Sequence, residues 1–306
     1  METIQMTEKE LKAFEKAERK KNRIPSLFEM IGREVWRDKF AFCSLLVMIG
    51  ILIASFVGSA LTDESVMRIV LGRQDLPPSE FGLLGTDSGG RDILDLLFLG
   101  ARNSFTISFV VTFASLAIGF FVGLLAGFYG GFTDLAIMRI IDMFVMVPGI
   151  MIIMVVSAVL PTYGLREFII LMILTGWFAT ARNFRARVLQ ESARDYVLAS
   201  KTLGTPNFVI MFKKVMPNVT SFMMVNLVLV LALNVGLETG LTVIGFGLPF
   251  GTPSLGAMIA SAMNPAVLQL RPWQWVPAAV LIFMMTLSIY GVGSAVSRAV
   301  NPKQRR

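Results

Sequence analysis

Residues 198–217 read LASKTLGTPNFVIMFKKVMP, a polar, basic stretch set between two long apolar runs. Glu191–Leu203 supports a helix, and Gly204 suits the C′ position, where glycine adopts the left-handed conformation at little cost. Thr205 is placed to cap a new helix whose first position is Pro206, with φ already set near the helical value. That second helix takes in Phe208, Met211 and Phe212, carries Lys213 and Lys214 late, and is expected to end near Met216-Pro217. The whole connection, 182–218, has about forty residues where helix bundles use two to eight, and loops of that length tend to carry function. The stretch therefore predicts a helix, a sharp turn and a second helix projecting from whatever the apolar runs form.

Those runs are Phe40–Leu61, Ser104–Phe128, Leu135–Leu160, Phe168–Ala181, Ser221–Pro249 and Trp275–Val296. A bilayer crossing takes about 20 mostly apolar residues. Five runs reach that length; Phe168–Ala181 is short, but Trp177 and Arg182 suit an interfacial end. Composition agrees, since 55% of the 306 residues are hydrophobic and only 16% are charged, against about a quarter in soluble domains. The mean hydropathy is +0.68. The chain reads as an all-α integral membrane protein with six transmembrane helices. Its expected organisation is a cytoplasmic amphipathic region at 1–39, a first span at 40–61, an external segment at 62–103, a transmembrane domain at 104–296 containing the loop 182–218, and a cytoplasmic tail at 297–306. The charged preamble Met1–Lys39 is too long for the n-region of a signal peptide, so the first span is expected to be retained.

An even number of spans puts both ends on one side. That side holds ten Lys/Arg in Met1–Lys39, then Arg139, seven in Arg182–Asn218 and four in Arg298–Arg306. Arg68, Arg73, Arg91, Arg102, Arg166 and Arg271 fall on the other. The positive-inside rule then places both termini and the 182–218 loop in the cytoplasm. The same asymmetry accounts for the net charge of +7, and no nucleic-acid partner is needed to explain it.

The residues also restrict the chemistry. There is no histidine, and Cys43, the one cysteine, sits inside the first span. A zinc site, a Ser-His-Asp triad or a Cys-His pair as normally built is excluded. No Gly-Lys dipeptide occurs, so no P-loop can cradle nucleotide phosphates.

Several local patterns carry further expectations. Thr7–Glu10 and Ser26–Glu29 fit capping boxes, and Leu27, Phe28, Ile31 and Val35 share one face of a helix expected to lie on the inner membrane surface. Gly85-Thr86-Asp87 and Gly89-Gly90-Arg91-Asp92 are turn chemistry, with Asp92 able to start the next helix. Ser115, Gly119, Gly123 and Gly127, spaced by four, form a stripe against which another helix packs closely, within this chain or in another subunit. Pro148-Gly149 should bend the third span, and Arg139 and Asp142 are spaced to pair. Asn234, Glu238 and Thr242 make a polar stripe on the fifth span. A carboxylate at depth should face protein or a wet cavity. It serves either a translocation path or an interhelix hydrogen bond, and the second is preferred because no relay partner is evident.

With these residues in view, Ala199-Ser200-x-x-x-Gly204 followed by Pro217 resembles the EAA loop of ATP-binding-cassette importer permeases. Leu198 stands where that pattern has glutamate, Ser200 for the second alanine, Lys214 for isoleucine and Met216 for leucine. Residues 83–102, LLGTDSGGRDILDLLFLGAR, are similar to the Gly-Thr-Asp-x-x-Gly-Arg-Asp segment of the second permease of dipeptide and oligopeptide importers. GLETGLTVIGFGLPFGTPSLGAMI at 236–259 resembles the fifth helix of that subunit and the loop after it.

The resemblance implies a type I importer permease fold whose cytoplasmic helix-turn-helix couples to ATPases through Ala199, Ser200, Gly204, Thr205, Pro206 and Pro217. It implies a second homologous permease, two cytoplasmic ATPase subunits that use ATP and Mg, an external solute-binding protein and a peptide substrate, all within membrane lipid. This chain itself would be non-catalytic and bind no cofactor or metal. Two alternatives stand beside it: a proton-coupled secondary transporter using Glu238, which should show inverted repeats, and a non-transporting membrane scaffold.

Overall fold

The computed structural model describes residues 27–62, 64–160, 162–249 and 251–300. The capping box at Thr7–Glu10, Ser26 of the second box and the end of the tail, 301–306, lie outside the described residues. Among the described residues the regular structure is helical, with one isolated bridge between Thr86 and Asp92.

The chain enters through α1 (Leu27–Arg37) and α2 (Lys39–Leu61), joined at Asp38. One Asp38 carboxylate oxygen accepts the amides of Phe40 and Ala41, capping α2, while the other pairs with Arg298 near the end of the last helix. The first and last membrane helices are thereby fastened on one side. Ile31 and Val35 of α1 pack on Ala41, Leu45 and Ala295, so this part of the amphipathic face rests on the protein itself. Leu46, Ile53, Phe56 and Val57 of α2 point outward, as does Cys43. Lipid is the natural solvent for such a face.

α3 (Ile93–Tyr129) starts eleven residues before the expected span. Asp92 accepts the Leu94 amide at 2.8 Å and caps it as the sequence suggests. At 37 residues it is about 55 Å long, well beyond a hydrocarbon core of about 30 Å. α4 (Gly131–Val145) and α5 (Gly149–Val159) meet at 63°, with Pro148 at the corner as expected.

α6 (Leu165–Ser192) packs along α3, and the small-residue stripe explains how. A Cβ at Gly119 would stand 2.7 Å from the Thr180 side chain, one at Gly123 2.6 Å from the Ala181 carbonyl, and one at Gly127 2.7 Å from the Arg185 carbonyl. Ser115 faces Gly176 in the same way. The partner of the stripe is thus in this chain. Close backbone approach of this kind drives association where water expulsion cannot. Asp134 and Asp142 of α4 pair with Arg185 and Arg182 of α6. The expected pairing of Asp142 with Arg139 is overturned, because the nearer guanidinium comes from the neighbouring helix.

After α7 (Asp195–Thr202), α8 (Asn207–Val243) runs back through the bundle with a π turn at Met211–Val215. Short α9 (Leu255–Ala260) and α10 (Pro265–Leu270) lead to α11 (Val276–Val300). Among the described residues α2, α3, α8 and α11 are long and apolar enough to cross a membrane, and α4 and α5 reach that length and hydropathy only when taken together, as a broken span or a re-entrant loop. α6 is 28 residues long, but Arg182, Arg185 and Arg187 occupy its second half.

Candidate functional site

The loop that opened the sequence folds as an elbow. It is not one helix from Glu191 to Leu203: α6 ends at Ser192, the chain turns at Ala193-Arg194, and α7 begins at Asp195. The break is stabilised by Arg194, whose Nε reaches Glu191 Oε2 at 3.0 Å. α7 ends in a Schellman pattern, Thr205 N–H to Ser200 O at 3.1 Å and Gly204 N–H to Lys201 O at 3.0 Å. Gly204 has φ +75°, as its C′ placement requires.

The next helix departs from expectation at both ends. Pro206, not Thr205, is its N-cap, with no side-chain cap bond, and Asn207 is the first helical residue. Pro217 does not end it. The π turn lets Met216 N–H bond to Met211 O, five residues back, and the widened turn admits the proline without a break.

Leu198, Leu203 and Phe208 are exposed at the tip, Leu203 by 84%. Ala199, Gly204 and Pro206 are exposed with them. Ser200 instead turns inward, 2% exposed, donating to Tyr196 O at 2.6 Å and accepting from Lys214 Nζ at 2.7 Å. Lys201 Nζ lies 5.3 Å from the Phe128 ring centre at the end of α3, a cation–π contact. Beneath the elbow, Leu124 and Phe128 of α3, Phe184 and Val188 of α6, Val197 of α7 and Ile210 and Val215 of α8 form one buried cluster. Burying a side chain of this size contributes about 1.5–3 kcal/mol outside the bilayer, so the elbow is a packed unit rather than a loose loop.

The second constellation lies in the bundle. Glu238 is fully buried, and its carboxylate takes the hydroxyls of Thr239 and Thr242, each at 3.4 Å, with the Ser104 and Ser254 side chains close by. Asn234 Nδ2 donates to Thr112 Oγ1 at 2.8 Å. The sequence reading missed the facing residues on α3: Ser104, Ser108 and Thr112 are all buried, and their spacing of four was the signal for one polar face. Ser104 Oγ also accepts the Leu255 amide at 3.2 Å, and Asn103 Nδ2 donates to Pro253 O at 2.9 Å, fastening the segment after α8 to the upper part of α3. A cavity of about 460 Å³ adjoins this seam, lined by Thr242, Pro253, Ser254, Asp87, Arg91 and Gln274.

The turns at 85–92 are held by their own hydrogen bonds and close packing. Asp87 accepts the Gly89 and Arg91 amides and the Arg91 guanidinium, all within 2.9 Å. Gly85, at φ +75°, brings its backbone so close to Leu76 O that a Cβ would stand 2.5 Å away. Gln274 Nε2 reaches both Asp75 and Thr86 O, and Arg271 pairs with Asp75 at 2.8 Å, joining this segment to the start of α11. Among the described residues no cluster of His, Cys, Asp or Glu is arranged to hold a metal ion.

Comparison with known proteins follows the same outline. The profile of the Binding-protein-dependent transport system inner membrane component family matches residues 119–306. The oligopeptide transport system permease protein OppC of Lactococcus lactis subsp. cremoris (strain SK11) is 40% identical over 289 residues, covering 94% of this chain and 98% of that protein. The dipeptide transport system permease protein DppC of Bacillus subtilis (strain 168) is 32% identical over 278 residues, covering 90% and 85%. The peptidoglycan transport system permease protein YejE of Agrobacterium fabrum is 34% identical over 221 residues, covering 72% and 57%.

Proposed function

From the premise that this chain belongs to the binding-protein-dependent transport system inner membrane component family, we infer that it is the permease subunit of an ATP-driven peptide importer. The observation that carries the substrate class is the 40% identity, across nearly the full length of both chains, to an oligopeptide permease. The chain is a multi-pass plasma-membrane protein with no catalytic role, and ATP with its Mg is hydrolysed by partner subunits.

In this reading six helices cross the membrane, with α6 as the short fourth, and both termini lie in the cytoplasm. What supports the orientation is the excess of Lys/Arg on that side. A second permease completes the path, two ATPases engage the two elbows, and an external binding protein delivers the peptide. The elbow is suited to docking because Leu198, Leu203 and Phe208 are exposed apolar groups on a rigid, well-packed support. Closure of the ATPases displaces α7 with Ala199, Ser200, Gly204, Thr205 and Pro206. The packed cluster beneath carries that displacement into α3, α6 and the Pro217 end of α8, a rigid-body switch between inward- and outward-open states. The Asn234–Glu238–Thr242 seam holds α8 to α3 and acts as an interhelix clasp.

The experiment is uptake of a labelled oligopeptide by proteoliposomes holding the purified complex and its binding protein. Import that requires internal ATP and survives a protonophore supports the reading. Import indifferent to ATP and abolished when the proton gradient collapses would sink it.

A further inference from the structure

Tyr196 stands where three parts of the elbow meet. Its hydroxyl donates to Glu191 Oε1 at 2.8 Å and accepts from Asn218 Nδ2 at 2.9 Å. Lys214 O lies 3.4 Å away and accepts Asn218 Nδ2 at 3.1 Å. Glu191 belongs to the end of α6 and is only 4% exposed. Asn218 lies just beyond the π turn, beside Pro217, where the helix ladder loses a donor. The Tyr196 carbonyl accepts Ser200 Oγ, which takes Lys214 Nζ in turn. One residue therefore joins α6, α7 and the root of α8.

Besides the Lys214–Ser200 bond, which ties one flexible side chain, the remaining ties between α7 and α8 differ in kind. Val197, Ile210 and Val215 meet through apolar contact, which is cohesive but non-directional. Hydrogen bonds constrain distance and angle together. A π turn is a soft point in a helix, where a push can be taken up as local rearrangement instead of being passed along. Burial, and then the bond with Glu191, raises the Tyr196 phenol above its usual 10.0, so the hydroxyl remains a donor at neutral and mildly alkaline pH.

We propose that Tyr196 is a positioning residue of the transport cycle: its hydroxyl fixes the angle between α7 and the root of α8, so that displacement of the elbow enters the membrane helix instead of dissipating at the π turn. This rests on the permease reading above and goes beyond it in naming the group that sets the coupling.

The test uses the whole complex in proteoliposomes with its binding protein, and reads peptide imported per ATP hydrolysed. If the wild-type complex imports nothing with ATP, the permease reading fails, and this inference with it. In Y196F, assembly and binding-protein-stimulated hydrolysis are expected to stay near wild type. The import-to-hydrolysis ratio should fall about tenfold, as for one lost hydrogen bond to a charged partner. An unchanged ratio, with import and hydrolysis both intact or both reduced together, overturns the inference and leaves the permease reading standing. Should Y196F not assemble, N218A removes the other partner of the same oxygen while keeping the Glu191 bond; a lowered ratio supports the proposal and an unchanged one overturns it.

Discussion

Lys214 Nζ donates to Ser200 Oγ at 2.7 Å, closing the elbow across fourteen residues of sequence. The hydroxyl keeps a second bond to Tyr196 O, so the lysine can be removed without stranding it. Lys214→Met is expected to lower stability by about 1 kcal/mol, the net worth of one partly exposed hydrogen bond. Thermal unfolding of the detergent-solubilised chain measures this; an unshifted midpoint would show that the contact contributes nothing.

Gly204 faces open space but holds φ +75°. A β-branched residue there meets no neighbour and still pays about 1–2 kcal/mol of backbone strain. Gly204→Val should therefore insert and assemble while ATP-dependent import falls severalfold, and Gly204→Asn should be much milder, since asparagine tolerates the left-handed region. Comparable import in wild type and Gly204→Val argues against a coupling role for the turn.

Along the α3–α6 seam the prediction reverses, because space is what is lacking. Gly123→Ala puts a Cβ 2.6 Å from Ala181 O, a backbone atom that cannot swing away. Overpacking of this kind costs about 1–3 kcal/mol. The variant should reach the membrane in reduced amount and melt earlier than wild type, as quantified by immunoblot and by thermal unfolding.

Glu238 separates the importer from its proton-coupled rival. The Thr239 and Thr242 hydroxyls donate to different carboxylate oxygens; Glu238→Gln keeps an acceptor for one and offers its NH2 to the other, whose hydroxyl can turn to accept, so import driven by ATP should persist within a fewfold of wild type. Glu238→Leu strands those hydroxyls inside the bundle at about 1–3 kcal/mol each and should reduce the folded yield. Complete loss of import in a well-folded Glu238→Gln would point to proton coupling.

Orientation is tested with single cysteines in a Cys43→Ser background. Leu203→Cys, on the exposed tip of the elbow, should react with a membrane-impermeant maleimide only in inside-out vesicles. Ser88→Cys, in the turn at 85–92, should react only in right-side-out ones. The opposite pattern refutes the cytoplasmic elbow.

Much of this was legible because the signals are local. A helix stop at Gly204, a cap at Asp92 and a corner at Pro148 depend on a few neighbouring residues, and all three stand where the sequence places them. What escaped depends on elements brought together from afar. Asp142 chose Arg182 over Arg139 because α6 lies alongside α4, which spacing along one helix does not report. The acid at 238 looked solitary until Ser104, from α3, and Ser254 closed around it. Pro217 reads as a terminator by propensity, yet a turn of five-residue bonds absorbs it, and burial of Met211, Val215 and Val219 on either side keeps the helix whole. Tertiary packing outweighed the local rule there.

α3 is one uninterrupted rod. Near its start Asn103 and Ser104 grip residues 253–255, and at its far end Phe128 lies under Lys201. With no joint between residues 104 and 128, the helix keeps those two holds at a fixed spacing, so the segment 253–255 and the elbow are linked by one continuous strut.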